Sequence, residues 1–398
     1  MNPTLTKSML IITVVLMDLL AGMQFDLFVP SFPELQAHFH LSPFWVEALI
    51  SINFIGYCVS LFFVGGLADR YGRKPLIVGG FLIFILGSLF CLEGQLYFLI
   101  LIGCFLQGVG IAAPAILSFL IIADLYDLKK QQYYMAMLNG VTNVGIGAAP
   151  ILGSYITLYF HWRGNFATLL LLGVVGLGLT LLFIPSYPLP NAKETLSFRA
   201  YLPLLQSKPL MLLILNIVCM FLPYWIFVGI APLLYMQDLG VSLSHFGYYQ
   251  GALALVFAFG SVAFGLVMNR YSTQKMLFWS NQLLIACFIA LLALTFTNCT
   301  KPLLITLVLV LFTATQVIPS SVLYPVCVNF SPQSKGRISA LIHGIRLLIT
   351  AICLQIAGYF YEGSFRSLGM MLSLTTIFLI ASAVYVLKNR ELMKRFEK

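Results

Sequence analysis

Long apolar runs broken by short polar turns dominate this chain. Twelve of them approach or exceed the roughly 20 residues that a helix needs to cross a hydrocarbon core about 30 Å thick. They fall at Ser8–Val29, Phe44–Leu67, Leu76–Leu92, Tyr97–Ile122, Tyr133–Phe160 and Asn165–Ile184, then at Leu210–Tyr235, Phe246–Met268, Met276–Phe296, Pro302–Val328, Ile338–Tyr361 and Leu368–Leu387. Apolar residues surround these segments on every face, as expected of helices in lipid rather than amphipathic helices on a soluble core. The pattern predicts an all-α integral membrane protein.

Composition agrees. Sixty per cent of the 398 residues are hydrophobic and 9% are charged, against about a quarter charged in soluble domains. Little chain remains outside the runs, so the work is expected inside the membrane. The first run does not read as a removable leader, because it is too long and carries Asp18 at its centre. The eight cysteines show no metal or disulfide spacing and read as buried free thiols. GxxxxGK[ST], HExxH and paired cysteines are absent, and the loops are too short for a nucleotide-binding domain. Neither an enzyme nor a cofactor is expected.

A net charge of +9 would suit a nucleic-acid partner, but its distribution excludes one. Eighteen of the 22 Lys and Arg fall on one side of the predicted topology, while Arg163, Lys301 and Arg366 fall on the other and Arg346 lies within a span. Positive loops stay in the cytoplasm. Both termini are therefore expected inside, with membrane lipid as the surrounding partner.

The chain also repeats. The loop after the second run reads Gly65-Gly66-Leu67-Ala68-Asp69-Arg70-Tyr71-Gly72-Arg73-Lys74. At an offset of 200 residues, Gly65, Arg70 and Tyr71 meet Gly265, Arg270 and Tyr271, and Asp69 meets Asn269. A Pro- and charge-rich connector divides the chain. The predicted organisation is a six-helix bundle over 1–184, a linker over 185–209 and a second six-helix bundle over 210–398.

A six-plus-six parallel repeat is the plan of the major facilitator fold. The loop from Gly65 to Lys74 resembles that superfamily's signature loop between helices two and three. Cys104-Phe105-Leu106-Gln107-Gly108 with Ala123-Asp124-Leu125-Tyr126, Ala149-Pro150-Ile151-Leu152-Gly153, Ala231-Pro232-Leu233 and Lys335-Gly336-Arg337-Ile338-Ser339-Ala340 resemble the Bcr/CflA branch of its drug:proton antiporters. The resemblance covers nearly the whole chain. It implies a monomeric inner-membrane carrier that exchanges protons, its only coupling ion, for a small-molecule substrate. Two positions depart from the family pattern: Cys104 and Ala123 stand where relatives often carry arginine.

The chemistry-bearing residues follow from cost. A carboxylate in hydrocarbon costs at least a few kcal/mol, yet the first run holds Asp18 and Asp26, eight residues apart. That spacing advances a helix by about 12 Å and turns it by roughly 80°, so both can face one cavity at different depths. Removal from water favours the neutral acid, which suits proton exchange. The spacing is also similar to that of acids handling protons and cations in multidrug facilitators of the superfamily.

Arg346, with His343 one turn before it, can pair with Asp18 or seat an anion. Gln107, Asn139, Asn143 and Gln316 are further candidates for the substrate cavity, although such groups often serve interhelical hydrogen bonds. Tyr224, Trp225 and Phe227 can stack on a cationic or aromatic ligand, and Trp45 and Trp162 read as membrane-interface anchors. In the signature loop, Asp69, Arg70, Arg73 and Lys74 can pair with helix ends, acids and headgroups while Gly72 makes the turn; in relatives the cluster latches the two halves. Gly145, Pro150 and Gly153 suit a close, kinked helix contact.

The leading expectation is a proton-coupled exporter of small organic compounds working by alternating access. A dedicated metabolite or siderophore carrier of the same fold, importers included, is the second reading. A non-transporting receptor or scaffold is the third.

Overall fold

The structure, a computed structural model, describes residues 3–126, 128–186, 201–267, 272–331 and 334–388. In hydrocarbon each backbone N–H and C=O must be satisfied within the chain. Helices do this, and no strand occurs among the described residues. The helices are α1 (Pro3–Leu27), α2 (Phe32–Phe39), α3 (Pro43–Tyr71), α4 (Arg73–Glu93), α5 (Tyr97–Leu125), α6 (Leu128–Phe183), α7 (Leu202–Leu205), α8 (Lys208–Pro232), α9 (Leu243–Val267), α10 (Thr273–Phe296), α11 (Pro302–Val328), α12 (Lys335–Phe360) and α13 (Phe365–Lys388).

Eleven helical stretches have the length and composition to span a membrane, and one of them counts twice. At 56 residues, α6 would extend about 84 Å at 1.5 Å per residue. His161, at φ 58° and ψ −176°, breaks it into two arms, between the predicted fifth and sixth spans. Glu34 of α2 holds the break: its Oε2 accepts the Trp162 N–H at 2.9 Å and its Oε1 lies 3.0 Å from His161 Nδ1. A carboxylate at the start of the second arm satisfies an N–H that the helix leaves free.

Two expectations are corrected at this end of the first bundle. The first span does not stop at Val29: a 3-10 turn, Val29–Ser31, leads into α2. Pro30 and Pro33 lack the N–H groups that a continuous helix would use. Trp162 is not an interface anchor. It is 2% exposed, packs edge-on to Phe166 and carries the Arg163 guanidinium 4.2 Å from its ring. Trp45, 48% exposed, fits the interface role.

The chain divides into two compact units, residues 1–41 with 48–196, and residues 42–47 with 197–398. Most of the predicted linker lies outside the described residues; its end folds as α7, and α8 begins at Lys208. The 200-residue offset reappears in the backbone. Helices α3 and α9 start at Pro43 and Leu243, and α4 and α10 at Arg73 and Thr273. His40 and Gly240, just before α3 and α9, both take positive φ. Arg270 and Tyr271 of the second loop lie outside the described residues.

Small residues bring helices of the first unit together, as lipid-embedded helices require. A Cβ on Gly80 of α4 would stand 2.6 Å from the Gly110 carbonyl oxygen of α5, and one on Gly87 would stand 2.6 Å from that of Gly103. The seven-residue spacing on both helices makes an antiparallel seam. On the α1–α6 seam, a Cβ on Gly145 would lie 2.5 Å from Leu19 Cδ1, and one on Gly153 would overlap the Leu27 carbonyl oxygen. The second unit packs more conventionally, with Leu213, Ile217, Met220, Phe312, Leu341 and Leu379 buried together.

Gly153→Ala should therefore lower stability by about 1–3 kcal/mol, the usual cost of overpacking. Gly178→Ala, on the same helix with nothing within 4 Å of the added carbon, should cost nothing. Thermal melting in detergent compares the two, and equal melting temperatures would contradict the seam.

Candidate functional site

Among the described residues, each unit carries polar side chains deep in its apolar helices. In the first unit a cluster lies on the seam of α1 and α6. Asp18 is 3% exposed, and its Oδ2 accepts a hydrogen bond from the Thr142 hydroxyl. Gly22, one turn along α1, faces the same threonine: a Cβ there would lie 2.7 Å from Thr142 Cγ2. The close glycine contact brings the hydroxyl to the carboxyl.

The hydroxyl has a second acceptor, the Leu138 carbonyl oxygen at 3.0 Å. With one hydrogen it serves one acceptor at a time. An ionised Asp18 takes the Thr142 hydrogen. A protonated Asp18 donates its own O–H to Thr142, which then turns its hydrogen to Leu138. Both protonation states are satisfied, and the exchange reaches the backbone of α6.

Asp26 is fully buried near the end of α1. Asn143, beside Thr142, is half-buried, and the side chain of Asn139 lies outside the described residues. Gly145 and Pro150 are buried on the same arm of α6. Gln107 is fully buried and turns its amide to α4. Its Nε2 donates to Ser88 Oγ at 2.9 Å, and its Oε1 lies 3.9 Å from Cys91 Sγ. Cys104 is buried on that seam too, with its sulfur 3.9 Å from that of Cys91.

The second unit's cluster joins α8, α11 and α12. Arg346 Nη2 lies 3.3 Å from His343 Nδ1, and His343 Nε2 lies 3.0 Å from Tyr324 Oη. A guanidinium only donates, so Nδ1 accepts and the imidazole is the neutral Nε2–H tautomer. That hydrogen goes to Tyr324, whose oxygen lies 3.2 Å from Ser339 Oγ. Arg346 also sits over the Phe221 ring at 5.2 Å. His343 thus links α12 to α11 and orients Arg346.

Tyr224 and Trp225 are half-buried and meet edge-on at 5.5 Å. Phe227 is packing material, 1% exposed and edge-on to Tyr235. Gln316 donates to Thr315 Oγ1 at 2.7 Å. It lines a small crevice with Asn216, Ser280 and Asn281.

The signature loop braces one bundle. Gly72, at φ 92° and ψ 163°, occupies a conformation that favours glycine and separates α3 from α4. Arg73 Nε donates to Asp124 Oδ2 at 3.2 Å on α5, and Lys74 Nζ donates to the Leu181 carbonyl at 2.8 Å on α6. These contacts tie the start of α4 to the ends of its neighbours, within the first unit. Arg70 is exposed over the Tyr71 ring, and nothing crowds Gly65. The side chain of Asp69 lies outside the described residues.

Sequence reasoning missed Thr142, Glu34 and Glu47. A lone threonine carries no signal until its partner across the seam is known. Glu47 did carry one, as an acid inside the second predicted span.

The sequence is similar to that of the multidrug resistance protein MdtL of Shewanella oneidensis, 28% identical over 274 residues and 66% of each chain. It is likewise similar to that of the multidrug resistance protein MdtL of Escherichia coli O81, 26% identical over 270 residues, 67% of this chain and 68% of that one. The fold is similar to that of a D-xylose–proton symporter, with a TM-score of 0.74 at 14% identity over 93% of this chain and 96% of that one. It also matches a bacterial homologue of the human lysosomal transporter Spinster, with a TM-score of 0.74 at 16% identity over 98% of both. The model of the Major Facilitator Superfamily matches residues 14–354, most of the length, and this chain is a multi-pass membrane transporter belonging to that superfamily.

Proposed function

We propose that the protein is a proton-coupled antiporter that exports small organic compounds. The observation that carries this reading is Asp18, a carboxyl buried in a membrane helix and served in either protonation state by Thr142. A purely structural acid has no need of a partner that can both donate and accept. The MdtL relatives, named for multidrug resistance, support a drug-like cargo.

The mechanism follows from linkage. Proton binding at Asp18 reorganises the α1–α6 seam, and Asn143 stands beside that seam. If substrate favours the opposite arrangement, each ligand weakens the other's binding. Arg346, fixed by His343, offers an anion-binding or carboxylate-binding group in the second unit. Asp26 is the second candidate for proton handling. The charge distribution supports placing both termini and the signature loop in the cytoplasm.

Three measurements test this reading. In proteoliposomes holding a trapped pH dye under a proton gradient, unrelated drugs should trigger proton release. A response to one metabolite would favour the dedicated carrier, and silence with every compound a non-transporting role. Asp18→Asn should abolish the response, and full parental coupling in that variant would refute the assignment.

Thr142→Ser should transport as the parent does. Thr142→Val should lose about tenfold, as expected when a hydrogen bond to a charged group worth about 1.5 kcal/mol is removed. Equal rates for the two would remove the hydroxyl from the mechanism. For topology, a cysteine replacing Lys130 should react with impermeant thiol reagents only in inverted vesicles; labelling from outside intact cells would reverse the orientation.

A further inference from the structure

Segment 42–47, the beginning of α3, packs as part of the second unit and brings with it a carboxyl that the proposed mechanism does not use. Glu47 is 0% exposed, and among the described residues neither of its carboxyl oxygens has a hydrogen-bond partner. It lies in a slot that two glycines open. A Cβ on Gly229 of α8 would collide with Oε2 and stand 2.7 Å from Leu354 Cδ2 of α12. A Cβ on Gly358 of α12 would stand 2.9 Å from Glu47 Cγ and 2.8 Å from the Phe44 Cα. Leu354 and Gly358 are one turn apart and share a face. The slot fits this side chain in length and width but offers it no polar partner.

No countercharge comes from the elements around it. In α8 the ionisable side chains are Lys208 at the start, Cys219 and Tyr224, followed beyond its end by Tyr235 and Asp238. Tyr235 is held by Thr306 and Asp238 by Tyr361. In α12 they are Lys335, Arg337, His343, Arg346, Cys353 and Tyr359. Arg346, the cation nearest to Gly358 along that helix, is twelve residues away, or about 18 Å of helix. Glu47 is the sole ionisable residue of segment 42–47.

An ionised carboxylate buried without a partner is costly by several kcal/mol, whereas a neutral acid is tolerated. We propose that Glu47 is a second proton-binding site: it carries a proton whenever segment 42–47 is seated between α8 and α12, and release of that proton expels the segment from the slot. The ligand is the proton alone, and the site stands whether or not Asp18 couples transport. The seated state holds one more proton than the unseated state. Once the unseated carboxyl ionises, each further pH unit lowers the seated-to-unseated ratio about tenfold.

Hydrogen–deuterium exchange of the purified full-length protein reads this directly. Uptake in the peptide covering residues 42–47, corrected for intrinsic exchange, is followed from about pH 5 to about pH 9, a range bracketing ordinary and buried carboxyls. In the parent, protection should fall with pH, by up to about tenfold per unit. Glu47→Gln keeps the shape without the titrating proton and should stay protected throughout. Glu47→Met, apolar and of similar length, provides the same reading should the glutamine variant fail to fold. Asp18→Asn should leave the parental pH dependence in place, separating this site from the proposed coupling acid. Parental protection that does not change with pH would overturn the proposal, as would the same pH dependence in the Gln or Met variant.

Discussion

Helices surrounded by lipid gain little from the hydrophobic effect when they meet, since a neighbouring helix is no less polar than an acyl chain. Their association depends on how closely two surfaces approach and on the hydrogen bonds formed between them. Everything else in this protein rests on that constraint. Gly80 and Gly87 meet Gly110 and Gly103 across α4 and α5, and Gly145 and Gly153 admit α1 against α6. Where backbones come this close, polar side chains on the seam are sealed from water. Ser88 with Gln107 is one such pair, and Asp18 with Thr142 is another. The buried acid and the buried amide arise from the same packing rule.

Four of the acids are accommodated in four different ways. Glu34 neutralises a helix start at the break in α6. Asp238 accepts the Tyr361 hydroxyl at 2.5 Å. Asp18 has a hydroxyl that adapts to its protonation state. Glu47 has a slot of the right shape and no partner. The first two arrangements suit a fixed ion. The last two differ: Asp18 meets a hydroxyl that can donate or accept, and Glu47 meets no hydrogen-bonding group among the described residues.

The number and order of spans were legible because a lipid-facing helix is apolar on all sides and loops must be polar. The break between the fifth and sixth spans was placed by the polar His161-Trp162-Arg163 run, although α6 is helical on either side of it. The facing of individual side chains was less legible. Trp162 looked like an anchor because aromatic residues favour the interface, but tertiary packing claimed it for the core. Gln107 looked like a cavity residue because it is polar at mid-span. Which side of a helix faces a neighbour cannot be read from a segment with no polar face, and the glycines of α4 and α5 alone hinted that Gln107 belonged to a seam. Thr142 was invisible for the same reason.

The repeat sharpens the contrast between frame and chemistry. At an offset of 200 residues the starts of α3 and α9, the positive φ before them and the starts of α4 and α10 coincide. The charged residues inside the spans do not. Helix α8 holds no acid to match Asp18 and Asp26 of α1, α9 none to match Glu47 of α3, and the arm of α6 before His161 no histidine or arginine to match His343 and Arg346 of α12. A frame that needed these charges for folding would keep them in both copies, because both copies pack under the same constraint. Their confinement to one copy each argues that the frame folds without them. The acids of the first repeat and Arg346 of the second stand in membrane helices at a desolvation cost, which folding alone gives no reason to bear.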